Sequence, residues 1–153
     1  MLRICTLTQD SREDAKTMLP EAVSFHGHLG PYLVLGMRMG LLARSFLKPK
    51  NQDDLKGVIE ARLTPPVSCV IDGVQVASGC TLGKGTIQLS EVSDRILAKF
   101  QGHNGMCTIR VKSQVFDELL EGTSKGTDED IRRMAEDVMT RSDSDLFEIV
   151  PTL

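Results

Sequence analysis

The period of apolar and polar positions changes several times along this chain, and each change predicts an element. Met1 to Thr8 reads as a short strand. Asp10 or Ser11 can cap a helix that runs past Met18, with Glu13 and Asp14 in its first turn to suit the helix dipole. Pro20 is expected to kink or restart this helix, after which Ala22, Val23 and Phe25 continue its apolar surface. Residues 31–48 predict a helix that is apolar on nearly every face and must be covered by other elements or by a second copy of the chain. Within it Gly36 and Gly40 lie one turn apart, where another backbone approaches closely: a crossing inside one protomer, or two identical helices at a dimer interface.

Past Pro49 the pattern becomes β-like. Residues 57–63 alternate, with Ile59, Ala61 and Leu63 on one face and Glu60 and Arg62 on the other, and Pro65 and Pro66 end the strand. Ser68 caps a helix over residues 69–78, and Gly79 can close it in the left-handed conformation. Residues 86–90 form a short strand; 95–100 and 106–112 form a hairpin through Gly102, His103, Asn104 and Gly105. Ser113 caps a helix expected to end at Gly122, Thr127 caps a last helix with Asp128, Glu129 and Asp130 at its positive end, and residues 146–150 can add a closing strand. Helices and strands do not alternate regularly, so the expected fold is α+β: a mixed or antiparallel sheet with helices packed on it, one domain over residues 1–153.

Composition narrows the function classes. With 153 residues and 41% apolar content the chain can bury a sizeable core. The 18 basic and 21 acidic residues are mixed along it, and with no Trp and one Tyr it lacks the basic stripe and stacking aromatics of a nucleic-acid surface. The start turns polar too soon for a secretory signal, and the longest apolar run carries Arg38 and Arg44 and falls short of the roughly 20 residues of a membrane span. A cytoplasmic location is the default expectation, with Cys5, Cys69, Cys80 and Cys107 as thiols or ligands rather than disulfides.

Candidate chemistry centres on Phe25-His-Gly-His-Leu-Gly-Pro31. Gly27 and Gly30 let the chain bend before Pro31, so His26 and His28 are expected at the N-terminus of the central helix, whose partial positive charge favours neutral rings able to act as ligands or bases. Imidazole and thiolate suit Zn²⁺ and other first-row metals. Cys80, in the glycine-rich loop 79–85 with Lys84 nearby, is the best third ligand; its other reading is a small buried side chain beside a helix cap. An unbroken helix holds Cys69 and Cys80 roughly 15 Å apart, too far to share one metal within a protomer. Gly83 and Lys84 resemble the end of a phosphate loop, but Ser78 and Gly85 break that motif; the loop N–H groups and Lys84 could still hold a phosphate or carboxylate. His103 is expected to be solvated, and Cys5 and Cys107 structural.

FHGHLGP and the later CVIDGVQVASGCTLGKG together resemble the E-subunit family of formylmethanofuran dehydrogenase, over most of the chain. The resemblance implies an α+β, homodimeric, metal-binding protein of the kind found in archaea and anaerobic bacteria, accessory to C1 metabolism and methanogenesis-related. By position, His26 and His28 match the family's histidine pair, Cys69 and Asp72 the start of its second motif, and Cys80, Thr81, Gly83 and Lys84 its Gly-Cys-Thr loop. Gly30 stands where the family usually has a cysteine before the proline, and the sequence shows no Cys-rich zinc tail, so the core domain is expected to stand alone. The first functional expectation is a zinc or other transition-metal site of His26, His28 and Cys80, beside which Gly79, Thr81, Gly83 and Lys84 hold a small anionic, C1 or acyl ligand. Two readings stand beside it: a metal-free enzyme with Cys80 as nucleophile and His26 or His28 as base, and an interaction module in which these residues only shape a loop.

Overall fold

The computed structural model describes residues 11–151. The strand expected over 1–8, Asp10 as a cap and Cys5 lie outside them. Six helices, α1 (Ser11–His26), α2 (Pro31–Leu47), α3 (Cys69–Ser78), α4 (Ser113–Lys125), α5 (Asp128–Thr140) and α6 (Asp143–Leu146), accompany five strands, β1 (Lys56–Ala61), β2 (Ile87–Glu91), β3 (Leu97–Gly102), β4 (Gly105–Val111) and β5 (Phe147–Pro151). The strands form one mixed sheet in the order β2-β1-β3-β4-β5, with β1 and β2 parallel and the other pairs antiparallel. The fold is α+β, as the irregular order of elements predicts.

Alternation in the strands aims one face of the sheet at the helices. Register sets Leu89, Ile59, Ala98, Ile109 and Ile149 in one row across all five strands. Beside them Phe100 and Cys107 pair and are buried. α2 packs against β3 and β4, and also contacts α1, α3 and α5. It is therefore enclosed, which accounts for a helix with thirteen buried residues and no polar face.

The two glycines of α2 answer α3 of the same chain. A Cβ on Gly36 would stand 1.9 Å from the Val70 carbonyl oxygen, and one on Gly40 2.7 Å from the Ala77 Cβ. On the facing helix, a Cβ on Gly73 would meet the Leu33 carbonyl at 2.2 Å and the Met37 nitrogen at 2.5 Å. These contacts decide between the two expected uses of Gly36 and Gly40: both serve a crossing within one protomer. Residue 36 faces 70–74 and residue 40 faces 77–78, so α2 and α3 run the same way and bring their N-termini to one end.

Arg38, on the same buried helix, is fully enclosed. Its Nη2 donates to Asp143 Oδ1 at 2.9 Å, Nε to Ser11 Oγ at 2.9 Å, and Nη1 to the Val138 carbonyl at 2.7 Å and to the Arg141 carbonyl. Ser11 in turn donates its N–H to Asp143 Oδ2 at 3.0 Å. One guanidinium thus ties the start of α1, the middle of α2, the end of α5 and the start of α6, with its donors distributed over acceptors as a buried charge requires.

Several boundaries differ from the sequence expectation. Pro20 does not restart α1, which is helical through it from Ser11 to His26. The bond it forfeits is to the carbonyl of Lys16, and both residues lie on the exposed side where water can satisfy that oxygen. Gly122 does not end α4 but lies within it, where the Met134 side chain of α5 packs on its open side. Ser113 is the first helical residue rather than a cap, whereas Thr127 caps α5 in a reciprocal box with Asp130. His103 is not free in solvent: its backbone N–H donates to Asp54 Oδ1 at 3.1 Å and its ring bonds Asp54 Oδ2. Asn104 donates to the Leu47 carbonyl at 2.9 Å, so the hairpin turn also closes the C-terminus of α2.

Gly36→Ala is expected to destabilise the fold by about 2–4 kcal/mol in urea unfolding, since the new methyl meets backbone that cannot give way. Gly83→Ala, where nothing lies within 4 Å of the added Cβ, should change stability by less than about 0.5 kcal/mol. The Lys50 backbone N–H and then the His103 ring hold the Asp54 carboxyl below its ordinary value. Its contribution to stability is therefore complete above the ordinary carboxylate value and is lost as pH falls through the lowered one. In a carboxyl NMR titration, His103→Ala should move Asp54 back up.

Candidate functional site

The functional candidates gather where α1 ends and where α2 and α3 begin. α1 stops at His26 because Gly27 takes a positive φ of 106°, its N–H still bonding the Val23 carbonyl at 2.7 Å. After His28 and Leu29 the chain enters α2 through Gly30, in extended conformation, with Pro31 at the first helical position. The expectation that both histidines sit at the N-terminus of α2 is thus corrected for His26, which is the last residue of α1. The two rings nevertheless meet, with centroids 4.5 Å apart and tilted by 44°.

His26 is held from across the chain. Its Nδ1 lies 2.5 Å from Oδ2 of Asp72, in the first turn of α3. A carboxylate only accepts, so Nδ1 carries a proton, and in the neutral ring the lone pair is on Nε2. Nε2 is buried and has no hydrogen-bond partner, and the side chain as a whole is only 10% exposed. An imidazole oriented by a carboxylate, with its second nitrogen enclosed and vacant, is the arrangement of a metal ligand or a general base. The His28 ring is more exposed and lies over Gly30, where an added Cβ would stand 3.8 Å from His28 Nε2.

Gln75, one turn along α3, extends the support: its Nε2 donates to Asp72 Oδ1 at 3.4 Å, and its Oε1 accepts from the Leu82 N–H at 3.0 Å. Cys69, at the start of the same helix, is half-buried, and burial followed by the nearby Asp72 charge pushes its thiol above the ordinary value. Tyr32, enclosed in the first turn of α2, is likewise raised by burial, with its hydroxyl 3.4 Å from Thr123 Oγ1.

Cys80 does not join this group. It follows the far end of α3, which spans about 15 Å over its ten residues. Its side chain is fully enclosed, its Sγ donates to the Leu55 carbonyl at 3.3 Å, and burial raises its thiol despite Ser78, Lys84 and Arg44 nearby. The expected convergence of His26, His28 and Cys80 is therefore not formed within the chain, and neither is the pairing of a Cys80 nucleophile with a histidine base. Among the described residues no group of three or more His, Cys, Asp or Glu side chains is placed to hold a metal ion.

The loop 79–85 is also used differently from the expected anion cradle. The N–H of Thr81 donates to Thr86 Oγ1, that of Lys84 to Thr81 Oγ1 and that of Gly85 to the Leu82 carbonyl. Lys84 Nζ is engaged by the Gln52 carbonyl at 3.0 Å and Asp53 Oδ1 at 3.1 Å. Gly79 closes α3 with φ of 79°, as expected, and Gly83 is open to solvent. The donors meant for a ligand thus hold the loop together.

Comparison with known proteins places this geometry in a family. A family model described as "FmdE, Molybdenum formylmethanofuran dehydrogenase operon" matches residues 25–148. The chain belongs to the FmdE family. The match opens at Phe25, directly before His26, and takes in α3 and its loop. The chain is also 36% identical over 76 residues to a protein of Archaeoglobus fulgidus named "Probable S-adenosyl-L-methionine-binding protein". That alignment covers 46% of this FmdE-family chain and 19% of the relative, so the chain spans about a fifth of the relative's length.

No helix among the described residues is long and apolar enough to cross a membrane. In the native protein Cys69 should alkylate with iodoacetamide while Cys80 stays protected, and Cys69 should react appreciably only above the ordinary thiol pH range, as peptide mapping can show.

Proposed function

We propose that this FmdE-family domain binds a transition metal ion, zinc first among candidates, through Nε2 of His26 and the ring of His28, with Asp72 fixing the tautomer and aim of His26. The observation that carries the reading is the buried, unpartnered Nε2 of an imidazole whose other nitrogen is held by a carboxylate. Two imidazoles make half of a closed zinc shell, which suits an open site whose remaining positions are taken by water, by a substrate or by a second copy of the chain. A metal there would act as a Lewis acid toward a small C1 or acyl group, and the domain would be accessory to C1 metabolism. A homodimer belongs to the same proposal: Phe25, next to His26, is 60% exposed, and Leu82, on the loop joined to Gln75, is 54% exposed, so a second copy could cover both.

Protein purified anaerobically without an affinity tag is expected to carry zinc by mass spectrometry. His26→Ala and His28→Ala should each lose it, and Asp72→Ala should bind about 10–100-fold more weakly because His26 loses its orientation. Gly30→Cys places a thiol beside His28, its Cβ meeting nothing closer than 3.8 Å, and should tighten zinc binding by at least about tenfold. Unchanged metal content in both histidine variants would overturn the assignment.

A further inference from the structure

We infer that the open face of the sheet carries a binding cleft for a small organic phosphate monoester, held by Lys56 and Lys99. The helices cover one face of the sheet, and strand alternation sends every second side chain to the other. Lys56, Val58 and Glu60 of β1 and Leu97, Lys99 and Gln101 of β3 belong to that open face. Register then builds two rows near the β3–β4 hairpin: Gln88, Val58 and Lys99 in one, Lys56, Gln101 and Met106 in the next. These six residues line a cleft of about 270 Å³, which Gly85 also borders, with nothing within 4 Å of where its side chain would stand.

The charge of the cleft has one sign. No acidic residue lines it. Lys56 pairs with Gln101 and Lys99 with Val58, so the lysines are diagonal neighbours on one face, about 7–8 Å apart at their bases. Two ammonium groups on flexible stems can therefore close on a single anion. Neither makes an ion pair or a side-chain hydrogen bond among the described residues, and the same holds for the amides of Gln88 and Gln101. The neighbouring carboxylates are engaged elsewhere: Glu60 holds Arg95 at 3.6 Å, and Asp54 holds His103. Four polar side chains without internal partners thus converge beside the apolar Val58 and Met106, the mixture that small-molecule sites use.

Two cations with no carboxylate between them select a group that carries two negative charges. A phosphate monoester is mostly dianionic at pH 7 and offers three acceptor oxygens, which serve both ammonium groups and one amide. Val58 and Met106 then match an organic substituent, and the volume admits about ten non-hydrogen atoms, a compact monoester and not a nucleotide. The cleft is separate from the histidine site. It lies by the hairpin, where Asn104 meets the C-terminus of α2, and the histidines precede the N-terminus of that 17-residue helix, roughly 25 Å away.

Phenyl phosphate titrated into the purified protein, followed by amide NMR, tests the inference with phenol, benzoate and inorganic phosphate as controls. It should shift the Val58, Lys99 and Gln101 amide signals saturably and leave those of Leu29 and Gly30 unmoved. Phenol lacks the charge, benzoate carries a single charge and inorganic phosphate lacks the apolar body, so each should bind about tenfold or more weakly. Lys56 and Lys99 are exposed, so Lys56→Gln and Lys99→Gln should keep the wild-type spectrum away from the cleft and each weaken phenyl phosphate about tenfold. The inference is overturned if the three amides do not shift saturably, if any control binds as tightly, or if the double lysine variant binds as wild type does. Shifts confined to Leu29 and Gly30 would place the phosphate at the histidines and overturn it as well.

Discussion

The close crossing of α2 and α3 is the constraint on which the rest of the structure depends. Three glycines, Gly36, Gly40 and Gly73, let the two backbones approach until carbonyls lie where side chains would otherwise be. Glycine costs about 1 kcal/mol against alanine inside a helix, and the contact area it opens between two apolar helices offsets that cost. Because the helices run the same way, their first turns emerge at one end. That end also receives the last residue of α1, so His26 reaches Asp72 across 46 positions of sequence. A crossing of opposite sense would have set the His-Gly-His segment against the far end of α3, beside Cys80.

The arrangement also explains how a buried core helix tolerates polar groups. Arg38 sits in the middle of α2 with nothing of its side chain exposed, and its partners among the described residues include one carboxylate, one hydroxyl and two carbonyls. Removing one partner of such a set leaves a charge uncompensated. The C-terminus of α2 is met by Asn104. At the N-terminus, by contrast, Gly30 is the cap and no side chain caps the helix.

Much of this is legible in the sequence. Strand alternation, the cap Thr127, the left-handed Gly79 and the hairpin through residues 102–105 are local signals, and they locate their elements to within a few residues, although His103 and Asn104 form the turn without the positive φ of a primed Asn-Gly turn. The histidine pair is marked by its spacing and by a family resemblance that the match over residues 25–148 supports. Pairings made by tertiary structure are harder to read. Nothing in the spacing of His26 and Asp72 reveals that they bond, and only the position of Asp72 in the second motif points toward it. Arg38 serves as an argument against a membrane span without revealing its partners. His103 carries no local sign of Asp54, since the contact depends on where the α2–β1 connection passes the hairpin. Cys80 is misleading because a glycine-rich loop suggests accessibility, whereas its sulfur points inward to Leu55.

The loop around Cys80 still bears on the site, through support. Thr81, Thr86 and Lys84 stitch it together, and the Leu82 N–H hands the fixed loop to Gln75, which contacts Asp72, which orients His26. Cys80 anchors the near side of the same loop by burying its thiol against β1's approach at Leu55. A chain of such links thus connects a motif at one end of α3 to an imidazole at the other. The Gly-Cys-Thr loop therefore bears on the placement of the His26 ring through this chain of hydrogen bonds, because a nitrogen held to its aim by a carboxylate is only as well placed as the carboxylate itself.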